Sequence, residues 1–167
     1  MDSLSVYRTA YARLHRATPI PADCGRLCKR RCCQGGKEDG MILFPGEEAM
    51  LPEDGTFAVS RCEMNGTSVG FAVCGGRCAR PRRPLSCRIY PLAPYMDGAG
   101  RLLVVPDPRA TYSCPLLKAP ELFDPGFSRA VEAAFQDLLR LDGVAEMLRA
   151  YSGMLDAYRR FLPEDTV

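Results

Sequence analysis

The chain has 167 residues, with 22 Lys and Arg against 20 Asp and Glu, and the resulting net charge of +2 is too small to argue by itself for a nucleic-acid partner. Hydrophobic residues at 47% and charged residues at 25% exclude intrinsic disorder over most of the length. The size suits one domain with a moderate core.

Residues 1–17 carry Arg8, Arg13 and Arg16 among apolar positions, with no uninterrupted apolar stretch of signal-peptide type. Nothing in the sequence approaches the roughly 18 apolar residues of a membrane span. The expected location is cytoplasmic, with no membrane partner. Leu4, Tyr7, Tyr11 and Leu14 recur at helical spacing and predict an amphipathic helix over 3–16, ended by Pro19 and Pro21. A dense cysteine segment follows, then the turn-rich Gln34-Gly35-Gly36. Met41-Ile42-Leu43-Phe44 is a short buried run closed by Pro45-Gly46, and 47–51 can make one helical turn.

The middle of the chain has β character. Residues 56–62 and 68–74 flank Asn65-Gly66, the strongest short hairpin signal. Residues 88–95 and 101–105 flank Asp97-Gly98-Ala99-Gly100 and predict a second hairpin, with Pro91 and Pro94 making its first strand an edge or an irregular segment. From Asp124 the pattern is helical again. Val131, Phe135, Leu138 and Leu139 mark one apolar face, and Val144, Met147, Leu148, Tyr151, Met154, Leu155 and Tyr158 mark another. Asp142 is the expected N-cap of the last helix, and Leu162-Pro163 stops it before a short tail, 164–167. The organisation expected is one α+β domain over 1–167: an N-terminal helix within 1–20, a cysteine-rich core of β-hairpins and loops over 21–118, and a C-terminal helical pair over 124–163.

Nine cysteines are an odd number for a disulfide framework, and in a reducing compartment clustered cysteines are more often metal ligands or redox groups. Eight fall into two runs along the sequence: Cys24, Cys28, Cys32 and Cys33, then Cys74, Cys78, Cys87 and Cys114. Thiolates a few residues apart converge on one ion when the loop between them reverses, and Cys24-Gly25 and Cys74-Gly75-Gly76 supply the glycine that eases this. The adjacent Cys32 and Cys33 are expected to point in divergent directions, so that they serve different ions or only one of them ligates. Cys62, inside the first hairpin, is the expected non-ligand, a small buried hydrophobe. His15, the one histidine, is far from any cysteine and is expected to be a surface or packing residue.

Arg26, Lys29, Arg30 and Arg31 accompany the first run, and Arg77, Arg80, Arg82, Arg83 and Arg88 the second. Cations favour the thiolate form, and a basic shell offsets the net charge of about −2 left by four thiolates on Zn²⁺ or on an oxidised four-iron cluster. The basic shell therefore supports either a zinc ion or a [4Fe-4S] cluster.

The cysteines of 24–33, followed by Arg83-Pro84-Leu85-Ser86-Cys87-Arg88-Ile89-Tyr90-Pro91, resemble the zinc- or iron-chelating cysteine-cluster family known by its CxxCxxCC signature. That family includes the cysteine-rich part of flagellin lysine N-methylases. The resemblance spans 24–114, with three residues rather than two between successive cysteines of the first run. It implies metal binding by the cysteines, with 41–51 as the family's apolar segment; without a glycine-rich loop for S-adenosylmethionine, it implies no methyl transfer.

In the motif, Arg83 and Arg88 are expected to bond backbone carbonyls or neutralise thiolates, or else to contact an anion beside the metal. Pro84 and Pro91 are expected to fix the backbone around Cys87, and Tyr90, Tyr95 and Tyr112 to pack against the site. Glu47, Glu48 and Asp107 are the acids to consider as general bases, and no catalytic residue is assigned. Three readings follow: a metal-binding cysteine-cluster protein, an iron–sulfur redox protein, and a zinc-stabilised module for an acidic partner. The metal is expected to stabilise the middle of the chain.

Overall fold

In the computed structural model, which describes residues 2–34, 36, 39–76 and 78–163, helix α1 (Ser3–Arg13) begins where the Asp2 carboxylate accepts the Leu4 amide. It buries Val6, Tyr7, Ala10 and Tyr11 and stops at Arg13 rather than 16, with Leu14 as its buried C-cap. His15 therefore lies past the helix end, where it is exposed. The cysteine segment folds into one turn of helix, α2 (Gly25–Cys28), and a 3-10 turn over Arg31–Cys33.

Strand β1 (Gly40–Leu43) leads through a 3-10 turn (Glu47–Met50) into the hairpin β2 (Phe57–Met64) and β3 (Thr67–Cys74). The hairpin turn is Asn65-Gly66, both at positive φ, 47° and 76°. The three strands are antiparallel in the order β1-β3-β2. Cys62 stands opposite Val69 on β2 and packs against the main core.

Residues 88–91 correct the strand expected from 88. Arg88 lies in a short helix, α3 (Leu85–Ile89), and the Tyr90–Pro91 peptide is cis. The strand starts only at β4 (Leu92–Met96), which pairs with β5 (Leu102–Pro106) in a separate two-stranded sheet. Pro94 is tolerated there because each strand has a free edge.

Helices α4 (Pro125–Leu138) and α5 (Val144–Arg159) complete the chain. Asp124 caps α4 by accepting from Gly126, as the sequence suggests. The cap of α5 is Gly143 at φ 78°, not Asp142, because the turn between the helices needs a left-handed residue at that position. Tyr158, expected on the buried face, is 42% exposed, since α5 outruns the core at its last turn. The expected tail, 164–167, lies outside the described residues.

The result is a single α+β domain. Its main core lies between α1, α4, α5 and the two sheets and is centred on Tyr7, Phe44, Phe127, Phe135 and Tyr151, with the Phe44 and Phe135 rings edge-to-face at 4.8 Å. A smaller cluster of Leu43, Phe57 and Ala72 sits on the other side of the three-stranded sheet, and Cys74 and Cys78 pack against it.

One buried carboxylate joins these parts. Glu47 is 0% exposed and accepts the Tyr11 hydroxyl at 2.7 Å, the Phe44 amide at 3.0 Å and the Leu85 amide at 2.6 Å. Burial, the largest influence, pushes its proton affinity up against the pull of these donors. Replacing Glu47 by Gln turns an acceptor toward a donor amide and is expected to cost about 1–3 kcal/mol in urea unfolding. The folded chain holds the Glu47 proton above the unfolded value of 4.5, so this group's contribution to stability is lost as pH rises from there through the folded value. The difference in stability between wild type and E47Q should shrink over that range, and a difference independent of pH would show that Glu47 does not titrate as described.

Candidate metal centre

The candidate centre lies beside the smaller apolar cluster, whose Phe57 and Ala72 share a cavity wall with the cysteines. Cys24 N-caps α2, Cys28 ends it, and Lys29 and Arg30 both take left-handed backbone (φ 53° and 58°) before Cys32 and Cys33. Two consecutive non-glycine residues in that region store strain, which persists only where the surroundings dictate the path. The second set arrives from β3, which ends at Cys74, from the following loop with Cys78, from α3 with Cys87, and from the residue before the 3-10 turn Pro115–Lys118, which is Cys114.

All nine cysteines are free thiols. Cys32 is exposed and the other seven of the clustered set are half-buried. The Sγ atoms of Cys32 and Cys33 are 3.9 Å apart. Among the described residues, no three Cys, His, Asp or Glu side chains converge closely enough to hold an ion as they stand.

The sulfurs nevertheless gather around two openings. A cavity of about 110 Å³ is walled by Cys32, Cys33, Cys74, Cys78 and Cys87 with Arg83, and a wider cleft of about 580 Å³ by Cys24, Cys32, Cys33 and Cys78 with Arg30 and Arg80. Arg83 lines both, and its Nε is buried with no hydrogen-bond partner among the described residues. Six soft sulfurs around the openings, beside an unsatisfied cationic N–H, fit a thiolate-bound metal, whose sulfurs would accept that N–H.

The cations have unequal roles. Arg88 donates to the carbonyls of Arg83 at 2.8 Å and Pro81 at 2.7 Å, and its guanidinium stacks on the Tyr11 ring at 4.3 Å. Arg80 donates to the carbonyls of Leu14 and Ala17 beyond α1. Arg82 pairs with Asp54 at the surface. The Arg83 side chain donates to the Cys78 carbonyl at 3.5 Å and lines both openings with the cysteines. Arg77 lies outside the described residues.

The basic shell does not dominate the thiols as its composition suggests. Burial is the leading influence on Cys24, Cys78, Cys87 and Cys114, and it pushes all four above the ordinary thiol value, with neighbouring thiols adding to it. Cys33 alone is lowered, first by its hydrogen bond with Cys32 and then by Arg83 and Arg30, while Cys32 rises correspondingly.

The acids considered as bases are otherwise engaged. Glu47 holds the three donors described above, Asp107 is buried in a pair with Arg109 at 2.6 Å, and Glu48 lies 3.8 Å from Arg61. Tyr90 lines the smaller cavity and bonds Ser113, and Tyr95 bonds Asp156. Tyr112, at 67% exposure, does not pack against the site. Asp39, also on the cavity wall, escaped the sequence reading because it lies outside every cysteine spacing. No family profile, curated protein or solved structure matches the chain.

Gly76 has φ +75°, and a Cβ there would meet the Cys33 carbonyl oxygen at 2.6 Å, whereas a Cβ on Gly75 would meet nothing within 4 Å. Gly76→Ala is therefore expected to lower unfolding stability by about 1–3 kcal/mol and Gly75→Ala by much less. Equal effects in denaturant titrations would mean the loop does not lie against Cys33.

Proposed function

We propose that this chain is a metal-binding protein that holds zinc through thiolates of the set Cys24, Cys28, Cys32, Cys33, Cys74, Cys78, Cys87 and Cys114, in a reducing, cytoplasmic setting. The observation that carries this reading is the meeting of cysteines from separate segments, Cys24, Cys32 and Cys33, then Cys74 and Cys78, then Cys87, around two adjoining cavities. Accidental thiols would not be drawn together from such distances in the sequence, and burying them unpaired raises the cost of ionising them. The resemblance to the cysteine-cluster family points the same way.

The bound ion would supply positive charge to the half-buried sulfurs and tie down the segment 24–33, which buries no side chain of its own. Arg83 would share the neutralisation through its free N–H. Sites closed by four thiolates suit a structural or metal-handling role, since catalytic zinc keeps an open position. No helix among the described residues is long and apolar enough to cross a membrane.

The test is elemental analysis of anaerobically purified protein for zinc, iron and acid-labile sulfide. Stoichiometric zinc without visible absorption supports the proposal. Iron and sulfide in equal amounts would replace zinc by an iron–sulfur cluster, and neither metal with all thiols titratable would overturn the assignment. Chelation should speed amide exchange in 22–34 and 74–83 and leave α4 and α5 protected, because those helices are held by the apolar core. Unchanged exchange in the cysteine segments after full metal removal would refute the stabilising role.

A further inference from the structure

Resting on the thiolate–metal reading above, we propose that the eight cysteines form two four-thiolate sites for thiophilic divalent cations whose membership crosses the order of the sequence: Cys24, Cys28, Cys32 and Cys114 in one, Cys33, Cys74, Cys78 and Cys87 in the other. The neighbouring pair Cys32-Cys33 is the point of division, and Cys114 belongs with the first run although it lies far along the chain.

The backbone supports this division. The closest approach to Gly76, in the loop between Cys74 and Cys78, is the Cys33 carbonyl oxygen, so Cys33 is docked against the second run. Cys33, Cys74, Cys78 and Cys87 also line one cavity, together with Cys32. Cys24 and Cys28 stand at the two ends of α2, with the Cys28 sulfur 3.9 Å from the Cys24 carbonyl oxygen, and Cys114 completes the first set as the remaining thiol of the eight.

The left-handed pair Lys29–Arg30 has a reason in this arrangement. It turns the chain between α2, which ends at Cys28, and the 3-10 turn that carries Cys32 and Cys33. Each filled site would carry a net charge of about −2. Arg83, on the wall of both openings, is placed to be shared between them. The competing arrangement keeps Cys32 and Cys33 on one ion, for which their 3.9 Å sulfur separation is also suitable.

Cobalt(II) titration of the reduced protein separates the two, because tetrahedral thiolate coordination gives visible absorption that reports each site. Wild type is expected to bind two ions. Cys32→Ser with Cys114→Ser removes two ligands from the same site, so one ion should bind with wild-type affinity. Cys32→Ser with Cys33→Ser removes one ligand from each, so both affinities should fall by at least about 10–100-fold, the loss typical of removing even an outer-shell partner. The reverse pattern, one site intact in C32S/C33S and both weakened in C32S/C114S, would overturn the division. Binding of no ion by wild type would instead refute the metal reading itself.

Should either double variant fail to fold, wild type loaded with one equivalent of cobalt and alkylated briefly gives the same answer by peptide mapping. The thiols protected together should form one of the two proposed quartets, and protection of Cys32 and Cys33 as members of one quartet would overturn the proposal.

Discussion

The position of everything near the cysteines depends on one carboxylate with no access to water. Glu47 takes a donor from α1, a donor from the end of β1 and a donor from the start of α3, and it has no solvent to fall back on if any of these moves. A buried carboxyl group is costly unless its oxygens are filled. Here that cost makes the arrangement specific, since no other packing of α1 against α3 would supply both the Tyr11 hydroxyl and the Leu85 amide. The helix bearing Cys87 is thereby oriented from the apolar core rather than from the loops around the cysteines.

The arginines extend that order outward. Arg88 lies beside Cys87 in the helix, so the two side chains leave the axis about 100° apart. One joins the sulfurs while the other stacks on the Tyr11 ring and holds the carbonyls of Pro81 and Arg83. Arg80 secures the same segment to the end of α1. The motif Arg83-Pro84-Leu85-Ser86-Cys87-Arg88 is therefore intelligible position by position. Arg83 faces the thiols, Pro84 precedes the helix it cannot donate into, Leu85 is buried and presents its amide to Glu47, and Ser86 bonds the Ile42 carbonyl of β1 at 2.6 Å.

Much of this fold was legible in the sequence, and the failures share a cause. The Asn65-Gly66 hairpin, the Asp124 cap and the apolar faces of α4 and α5 rest on local chemistry, and they stand where that chemistry puts them. Residues 88–91 read as strand from their place before the Asp97-Gly98-Ala99-Gly100 turn, whereas α3 is held by the hydrogen bond its Leu85 amide donates to a carboxylate 38 residues away. Asp142 lost the cap of α5 to Gly143 for a tertiary reason of the same kind: the sharp reversal between α4 and α5 requires positive φ. The eight candidate ligands could be named from composition and spacing. Their grouping could not, because the contact of Cys33 with the Gly76 loop crosses 43 positions of chain.

The electrostatics of the thiols also depend on burial rather than on the count of arginines. Two of the arginines near them in sequence, Arg80 and Arg88, donate to backbone carbonyls, while the Arg80 Nε and one Arg88 terminal nitrogen are buried with no partner among the described residues, and burial outweighs the lowering influence of Arg80 and Arg83 on Cys24. Burial and mutual repulsion then raise Cys24, Cys78, Cys87 and Cys114, and gathering them as bare thiolates would be unfavourable. A divalent cation changes the sign of that balance, since each thiolate that repels its neighbours attracts the ion between them. The same half-burial that disfavours a free thiolate would strengthen its bond to metal, because the surrounding dielectric screens the attraction less. In that light Arg83 is suited to temper the residual negative charge, and the proposed ion to supply most of the compensation.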